Sequence, residues 1–392
     1  MSDVAILVCV LCAFYLHDCS LWLGRDTVAF IATGFRRWRP VRPHPLLSGA
    51  TKGVLLSFRL PPLTPVYLSY PWRIAASPTH VCPVSPSGTP PMAQPHAYDA
   101  IQDVTTVDTT VTVNGRPFAI CEEPFLATMT ADFLRRLVPL SPKRRQSVLE
   151  KDIAAALDLA RLNETIESLT RDGLLLRVYC NALFVNFFLG LPFAVAFLNL
   201  QSTWPPLLAI LVGLVAVVAI EFRRLHAARW PAERAARRSI LIRICFFPPL
   251  AMRAYDFLSH RVAAHFHPLA LVLLLADSRI ADQVIHQTLR QLRYPLSLAD
   301  EDPITAATQA WCHEVEETAI RTLLAGRGLE ADDYLAPPPR IDRESRTYCP
   351  RCETAYTVSS GMCSDCPGVA LIAYPQSATE PSAGTLTSQV TP

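Results

Sequence analysis

The chain has 392 residues, a length that suits two or three domains. Apolar residues make up 51% of it, charged residues only 18%, and the mean hydropathy is +0.24. This composition excludes a disordered chain or a coiled coil and favours a membrane protein. The 36 basic residues nearly balance the 34 acidic ones, so no overall positive field would attract nucleic acid.

The first candidate membrane segment is residues 4–23, which are apolar except for His17 and Asp18. No basic residue precedes this segment, whereas five arginines follow it between positions 25 and 42. Basic flanks stay in the cytoplasm, so this charge order favours a signal-anchor with the N-terminus outside. We therefore treat residues 1–24 as a candidate N-terminal anchor, and a helix half-inserted at the membrane interface is the alternative.

A β-hairpin is the clearest local signal after this segment. Residues 104–113 alternate like one strand, and Asn114-Gly115 then predicts a two-residue type I′ turn, because that turn needs φ > 0 at both positions. A returning strand is expected at 116–121. An amphipathic helix is predicted over 125–138.

These elements belong to a predicted β-rich domain over residues 40–138, which also carries β-prone runs at 54–58 and 66–70. Over 50–138, the order of strands, hairpin and closing helix, with the stretch 98–101 before the hairpin, resembles a bacterial pleckstrin-homology-like (PH-like) domain. The resemblance implies binding of a lipid or a peptide. A different small β-rich domain is the alternative.

Positions 178–220 contain no Asp, Glu, Lys or Arg, and this is about twice the length of ~20 residues that one span needs. The polar, proline-bearing stretch 199–206 divides the run. We therefore predict a transmembrane hairpin at 178–222, with helices at 182–200 and 204–222. A buried hairpin of a soluble bundle and a re-entrant hairpin are the alternatives.

Arginine distribution predicts the orientation of this hairpin. Helical segments are expected on both sides of it, at 141–177 and 223–336, and seven arginines lie between positions 223 and 243 against one acid, Glu233. Both arms should therefore be cytoplasmic. The scattered cysteines show no oxidised framework, in agreement with a reducing compartment. We predict an integral membrane protein with most of the chain on the cytoplasmic side of the lipid bilayer.

The strongest chemical motif is C-x2-C-x10-C-x2-C near the C-terminus, formed by Cys349, Cys352, Cys363 and Cys366. Each pair can sit on a tight turn, and four thiolates complete a tetrahedron around zinc at ~2.3 Å. The spacing resembles a short zinc ribbon at 345–374. Four protein ligands leave no open position, so the predicted zinc is structural. Ribbons commonly have a glycine after each pair, where this chain has Glu353 and Pro367.

The ribbon's charge argues for a protein partner. Between positions 348 and 374 it has one basic residue, Arg351, against Glu353 and Asp365, so nucleic-acid binding is not expected. A contact with a protein, or a structural cap, fits better. The Ser/Thr/Pro-rich tail at 375–392 is predicted to be disordered.

Other polar groupings are weaker. His313 and Glu317 lie four residues apart on a predicted helix, but a metalloprotease helix would have His at both positions, so we predict a solvated face. Asp282 and His286 should make a surface pair. The histidines within 260–267 are interpreted as core or interfacial residues.

The sequence thus predicts an α+β membrane protein that combines a helical transmembrane hairpin, a β-rich N-terminal cytoplasmic domain and a C-terminal zinc ribbon. It contains no dinucleotide fingerprint, phosphate loop or serine elbow. The expected function is non-enzymatic, as a membrane-anchored adaptor or regulatory protein that binds a protein partner on the cytoplasmic side. The alternative is a membrane-embedded enzyme or transport-associated subunit that uses the helices of 240–325.

Overall fold

The computed structural model describes most of the chain outside several short gaps and the C-terminal end. The described residues are 3–24, 27–33, 37–41, 52–56, 65–84, 93–197, 200–296, 302–340 and 342–375. Apart from Pro375, the predicted disordered tail at 375–392 therefore lies outside the described residues.

Short antiparallel strands dominate the first third of the chain. In chain order they are β1 (Ser20–Gly24), β2 (Val28–Thr33), β3 (Arg37–Val41), β4 (Lys52–Leu56), β5 (Val66–Ser69), β6 (Ile74–Ala76), β7 (His80–Pro83), β8 (His96–Ala97), β9 (Val104–Val107), β10 (Thr110–Val113) and β11 (Arg116–Ile120), followed near the C-terminus by β12 (Thr347–Tyr348), β13 (Ala355–Tyr356) and β14 (Ile372–Ala373). Their sheets have the orders β1-β4, β3-β2-β5, β6-β7-β8, β11-β10-β9 and β13-β12-β14.

The predicted hairpin is part of a three-stranded meander. Residues 104–113 do not form one strand, and that prediction was wrong: the chain turns at Asp108, which adopts φ +52°, and β10 pairs with both β9 and β11. Asp tolerates this left-handed conformation better than most residues. The type I′ turn is confirmed, since Asn114 and Gly115 have φ of +51° and +73°.

The other strands of the predicted β-rich domain form separate small sheets. β4 pairs with β1 and β5 pairs with β2, so both connect to strands that precede residue 40. Within the described residues, the strands of 50–138 therefore do not form one continuous sheet. The PH-like resemblance and the domain boundaries stay predictions.

Helices form most of the remaining chain. They are α1 (Asp3–Cys19), α2 (Pro124–Leu137), α3 (Pro142–Ala156), α4 (Leu159–Asp172), α5 (Leu174–Val185), α6 (Leu191–Phe197), α7 (Leu200–Arg229), α8 (Arg234–Phe246), α9 (Pro248–Met252), α10 (Ala254–Ala263), α11 (Pro268–Leu275), α12 (Ser278–Arg293) and α13 (Pro303–Ala325). A π-helical turn, Asn186–Gly190, joins α5 to α6. The predicted amphipathic helix at 125–138 is α2, and its buried face covers the sheets β6–β8 and β9–β11.

Among the described residues, two helices are long and apolar enough to cross a membrane, Leu174–Ala194 and Pro205–Arg229, and most of each is not buried by protein. The sharply bent pair Ala254–Ala263 and Pro268–Leu275 would be a third if it formed one span. Their limits differ from the prediction. The first begins well before residue 182, and α7 starts at Leu200 and continues through Pro205 and Pro206. The two prolines were predicted to mark the turn. They lie instead inside α7, where each proline removes one backbone hydrogen bond of the helix. The apolar stretch long enough to span begins at Pro205, one residue after the predicted start at 204.

The N-terminal segment contains a shorter apolar helix. The predicted 4–23 segment is not one helix, because α1 ends at Cys19 and β1 follows directly. Phe14 of α1 packs against Phe187 and Phe247, with ring centroids 5.7 and 5.9 Å apart. This contact places α1 beside the first long apolar helix, and its role as an anchor stays a prediction.

The largest core lies among α5, α7 and the buried pair α10 and α11, which meet at 116°. Two of the polar contacts between the strand region and the helices involve buried charged side chains. The Val66 backbone N–H donates to Asp256 Oδ1 at 3.0 Å. Arg145, only 4% exposed, donates to the carbonyls of Leu137 and Pro78 at 3.1 and 3.0 Å. Buried charged groups with satisfied donors of this kind fix the relative position of the elements they join.

Candidate metal centre

The four predicted ligands meet at one point. One sulfur atom from each of the four cysteines lies within 4.8 Å of the other three, and the Sγ atoms of Cys352 and Cys363 are 3.6 Å apart. A tetrahedral ion with metal–sulfur bonds of ~2.3 Å requires sulfur–sulfur distances of about 3.8 Å. Cys349, Cys352, Cys363 and Cys366 can therefore hold one metal ion.

Short strands and tight turns bring the cysteines together. β12 leads into the first pair and hydrogen-bonds to both β13 and β14. After this pair, Glu353 donates its N–H to the Cys349 carbonyl at 2.9 Å and adopts φ +62°. After the second pair, the positive φ of +77° falls on Gly368. In the first turn, Glu353 thus adopts the positive φ that glycine usually provides directly after a cysteine pair. In the second turn, the positive φ falls on Gly368, two residues after Cys366 instead of one.

The surroundings of the sulfurs oppose full ionisation without a cation. Burial raises the pKa of Cys349 and of Cys366. Burial also acts against ionisation of Cys363, but the Tyr356 hydroxyl at 3.2 Å and a backbone N–H outweigh it and lower the pKa of Cys363 to about 7. Because the ligands must be thiolates, metal binding at neutral pH would displace protons from this cluster.

A buried arginine fastens the first cysteine turn to α12. Arg290 is 1% exposed and donates from one guanidinium nitrogen to the Pro350 carbonyl at 2.7 Å. The other terminal nitrogen donates to the Ala336 carbonyl and lies 3.1 Å from Glu353 Oε1. One side chain therefore joins the metal-binding turn, the segment before it and the helix.

Arg351 makes a second contact between the ribbon and α12, and here the donor belongs to the ribbon and the acceptors belong to the helix end. It lies between the two cysteines of the first pair and donates to the carbonyls of Gln291 and Tyr294, at 2.9 and 2.6 Å. These carbonyls are at the C-terminal end of α12, where backbone acceptors lack partners within the helix. The sequence suggested only the charge of Arg351 and gave no signal for Arg290, since periodicity does not tell which polar residue of a helix is buried.

The predicted pair of Asp282 and His286 is wrong. Asp282 instead accepts a hydrogen bond from the Tyr334 hydroxyl at 3.0 Å. The Nε2 atom of His286 lies 3.2 Å from Glu353 Oε1, beside the first cysteine turn. His286 thus lies beside the cysteine cluster, whereas Asp282, its predicted partner, contacts Tyr334 instead.

The predicted solvated face of α13 is only partly correct. Glu317 pairs with Arg321 at 2.9 Å, but its side chain is only 12% exposed, so it is not on a fully solvated face. His313 is half-buried and lines a cavity with Cys312 and Glu316. None of these three side chains belongs to the cysteine cluster.

No protein-family model matches this chain, and neither does any curated protein or solved structure. The functional argument therefore rests on the residues described above.

Proposed function

We propose that this protein is a membrane-anchored adaptor whose C-terminal zinc ribbon binds a protein partner on the cytoplasmic side. The observation that carries the proposal is the arrangement of the ribbon. Its first cysteine turn is attached to α12, while Val358, Met362 and Ile372 remain 50%, 66% and 38% exposed. Large apolar side chains left exposed on a small, rigidly attached module suit a protein contact.

Zinc is the metal that fits the donor set best. Four thiolates select zinc or an iron–sulfur centre over hard cations, and a single tetrahedral set is typical of structural zinc. The ribbon's own core is little more than three of its cysteines and Val369. A core of this size is too small to fold alone, so the ion would supply much of the folding free energy of the ribbon.

The membrane part of the proposal rests on the two long apolar helices. Their outer faces are not covered by protein, and lipid would cover them. A hairpin of two spans returns the chain to the side it left. The arginines at 223–243 then favour the cytoplasm for both arms and for the ribbon.

The test compares four versions of the full chain purified from native membranes, with co-purifying proteins quantified by mass spectrometry and zinc by elemental analysis. Met362→Glu should lose the partner and keep zinc. Cys363→Ser should lose both. Val107→Glu is the matched control, because Val107 has the same 66% exposure but lies on β9, outside the ribbon.

A partner that Met362→Glu retains would overturn the proposal, as would a partner lost equally with Val107→Glu. A wild-type protein without zinc would remove the metal from it.

A further inference from the structure

A cavity of about 230 Å³ lies between the β-rich region and α13, and none of the four clustered cysteines lines it. Its walls are mainly apolar and come from β6, α2 and α3, including Ile74, Phe133 and Leu149. Trp72, 52% exposed, also borders it, and its ring lies 6.1 Å from that of Phe133. This volume is below the roughly 300–1,000 Å³ of pockets for drug-sized ligands, so a small molecule would fill it.

Glu316 supplies a carboxylate to this cavity, and hydrogen bonding defines the charge state of its partner. His267 Nδ1 accepts the backbone N–H of Leu269 at 3.1 Å, so this nitrogen carries no proton. The proton is then on Nε2, which donates to Glu316 Oε1 at 2.9 Å. His267 is therefore a neutral donor to one oxygen of Glu316. Burial raises the pKa of Glu316, but this hydrogen bond lowers it overall, so the carboxylate stays ionised.

The other polar groups of the cavity do not supply a cation. Among the described residues that line it there is no Lys or Arg. Asp152 already pairs with Arg136. Burial lowers the pKa of His313, so its ring is neutral near pH 7. The Cys312 thiol donates to the Ala76 carbonyl at 3.3 Å and stays protonated.

We propose that this cavity binds a primary ammonium group carried on a small apolar body. The ammonium would lie on the free oxygen of Glu316 and the apolar body against the aromatic rings of Trp72 and Phe133. A carboxylate among apolar walls is costly unless a cation pairs with it, and an aromatic wall adds attraction for a cation. This proposal is independent of the adaptor function.

The first test uses two probes of nearly the same shape and opposite charge on the wild-type protein in lipid nanodiscs. Isothermal titration calorimetry would compare phenethylamine with 3-phenylpropionate. We expect saturable binding of the amine and none of the carboxylate. Equal binding of both, or no saturable binding of the amine, would overturn the proposal.

The second test removes the charge and keeps the shape. Glu316→Gln still accepts the hydrogen bond from His267 and should weaken amine binding at least about tenfold, since a charged acceptor is worth more than a neutral one. Glu314→Gln is the control, because Glu314 is exposed on the same helix and does not line this cavity. Unchanged affinity in Glu316→Gln would overturn the proposal, and zinc content would show that the variant is folded. If it is not, the probe comparison on the wild-type protein decides.

Discussion

Replacing Arg290 by Met should detach the cysteine turn from α12 while leaving the four ligands in place. Met is similar in length and keeps the apolar part of the side chain, so the change removes mainly the charge and the donors. Arg290 is 1% exposed and donates to Pro350 at 2.7 Å, to Ala336 and to Glu353. Among the described contacts, the ribbon then keeps to the helix those of Arg351 and the approach of His286 to Glu353.

The size of the effect follows from the exposure of each acceptor. Pro350 is buried, so its carbonyl would lose its partner at a cost of about 1–3 kcal/mol. Ala336 is exposed, and water can replace the guanidinium there. The Glu353 side chain is 34% exposed, so its pair contributes at most about 1 kcal/mol. The sum is about 1–4 kcal/mol of attachment free energy.

Zinc transfer to a chromogenic chelator measures this attachment, because the ion leaves from an opened ribbon. About 1–4 kcal/mol corresponds to release roughly fivefold to several hundredfold faster than in the wild type. Arg279→Met on the same helix is the control, since Arg279 is exposed and surface changes usually stay within about 0.5 kcal/mol. Wild-type release from Arg290→Met would refute the reasoning.

Three further outcomes follow from the structure. Glu353→Gly should release zinc more slowly than Glu353→Ala by a factor of about five or more. Both variants lose the pair with Arg290, but only Gly adopts the observed φ of +62° without a steric cost of about 1 kcal/mol or more. Equal release rates from the two variants would contradict this. Burial lowers the folded-state pKa of His313 below an unfolded value of about 6.5, so only the unfolded chain takes up this proton just below that pH. The contribution of His313 to the free energy of unfolding is fully present above about pH 7 and is lost as the pH falls, by up to about 1.4 kcal/mol per pH unit. Chemical denaturation of His313→Gln should therefore show an unfolding free energy that decreases less steeply with falling pH than that of the wild type. An unchanged pH dependence would exclude the effect. Tags placed before the first long apolar helix and after the second should lie on the same side of the membrane, so in sealed vesicles of one orientation added protease should either reach both tags or reach neither. Tags on opposite faces of the membrane would disprove the hairpin.

The parts of the fold that sequence could predict depend on local chemistry. Cysteine spacing identified the four cysteines that lie together and could hold a metal ion, and Asn114-Gly115 identified a turn whose φ angles only a few residues adopt. The turn at Asp108 escaped notice because alternation of side chains continues across it. A pattern of period two does not distinguish one long strand from two short paired strands.

The limits of the long apolar helices could not be read from charge alone. A charge-free run starts at residue 178, but the helix starts at Leu174 and includes Arg177 near its end. A long basic side chain near a helix end can extend toward water, so its position does not mark the end of the helix. Pro205 and Pro206 do not end the helix, which begins before them at Leu200, but they do mark the start of the apolar stretch that is long enough to span.

The contacts around both candidate sites depend on tertiary structure. His267 and Glu316 are 49 residues apart, and Arg290 and Pro350 are 60 apart. No local pattern connects such positions. Arg290 in particular lies in an amphipathic helix, where arginine usually belongs to the solvent face.

The attachment of the ribbon also determines which substitutions the protein can accept over time. The acceptors at positions 291, 294, 336 and 350 are all main-chain oxygens, so almost any side chain could replace the present ones without removing a hydrogen bond. Arg290 and Arg351 have no such freedom, because only a guanidinium spans two acceptors at once. Related proteins could therefore differ from this one at most positions of the contact between the ribbon and α12 and still join the two through the same two arginines.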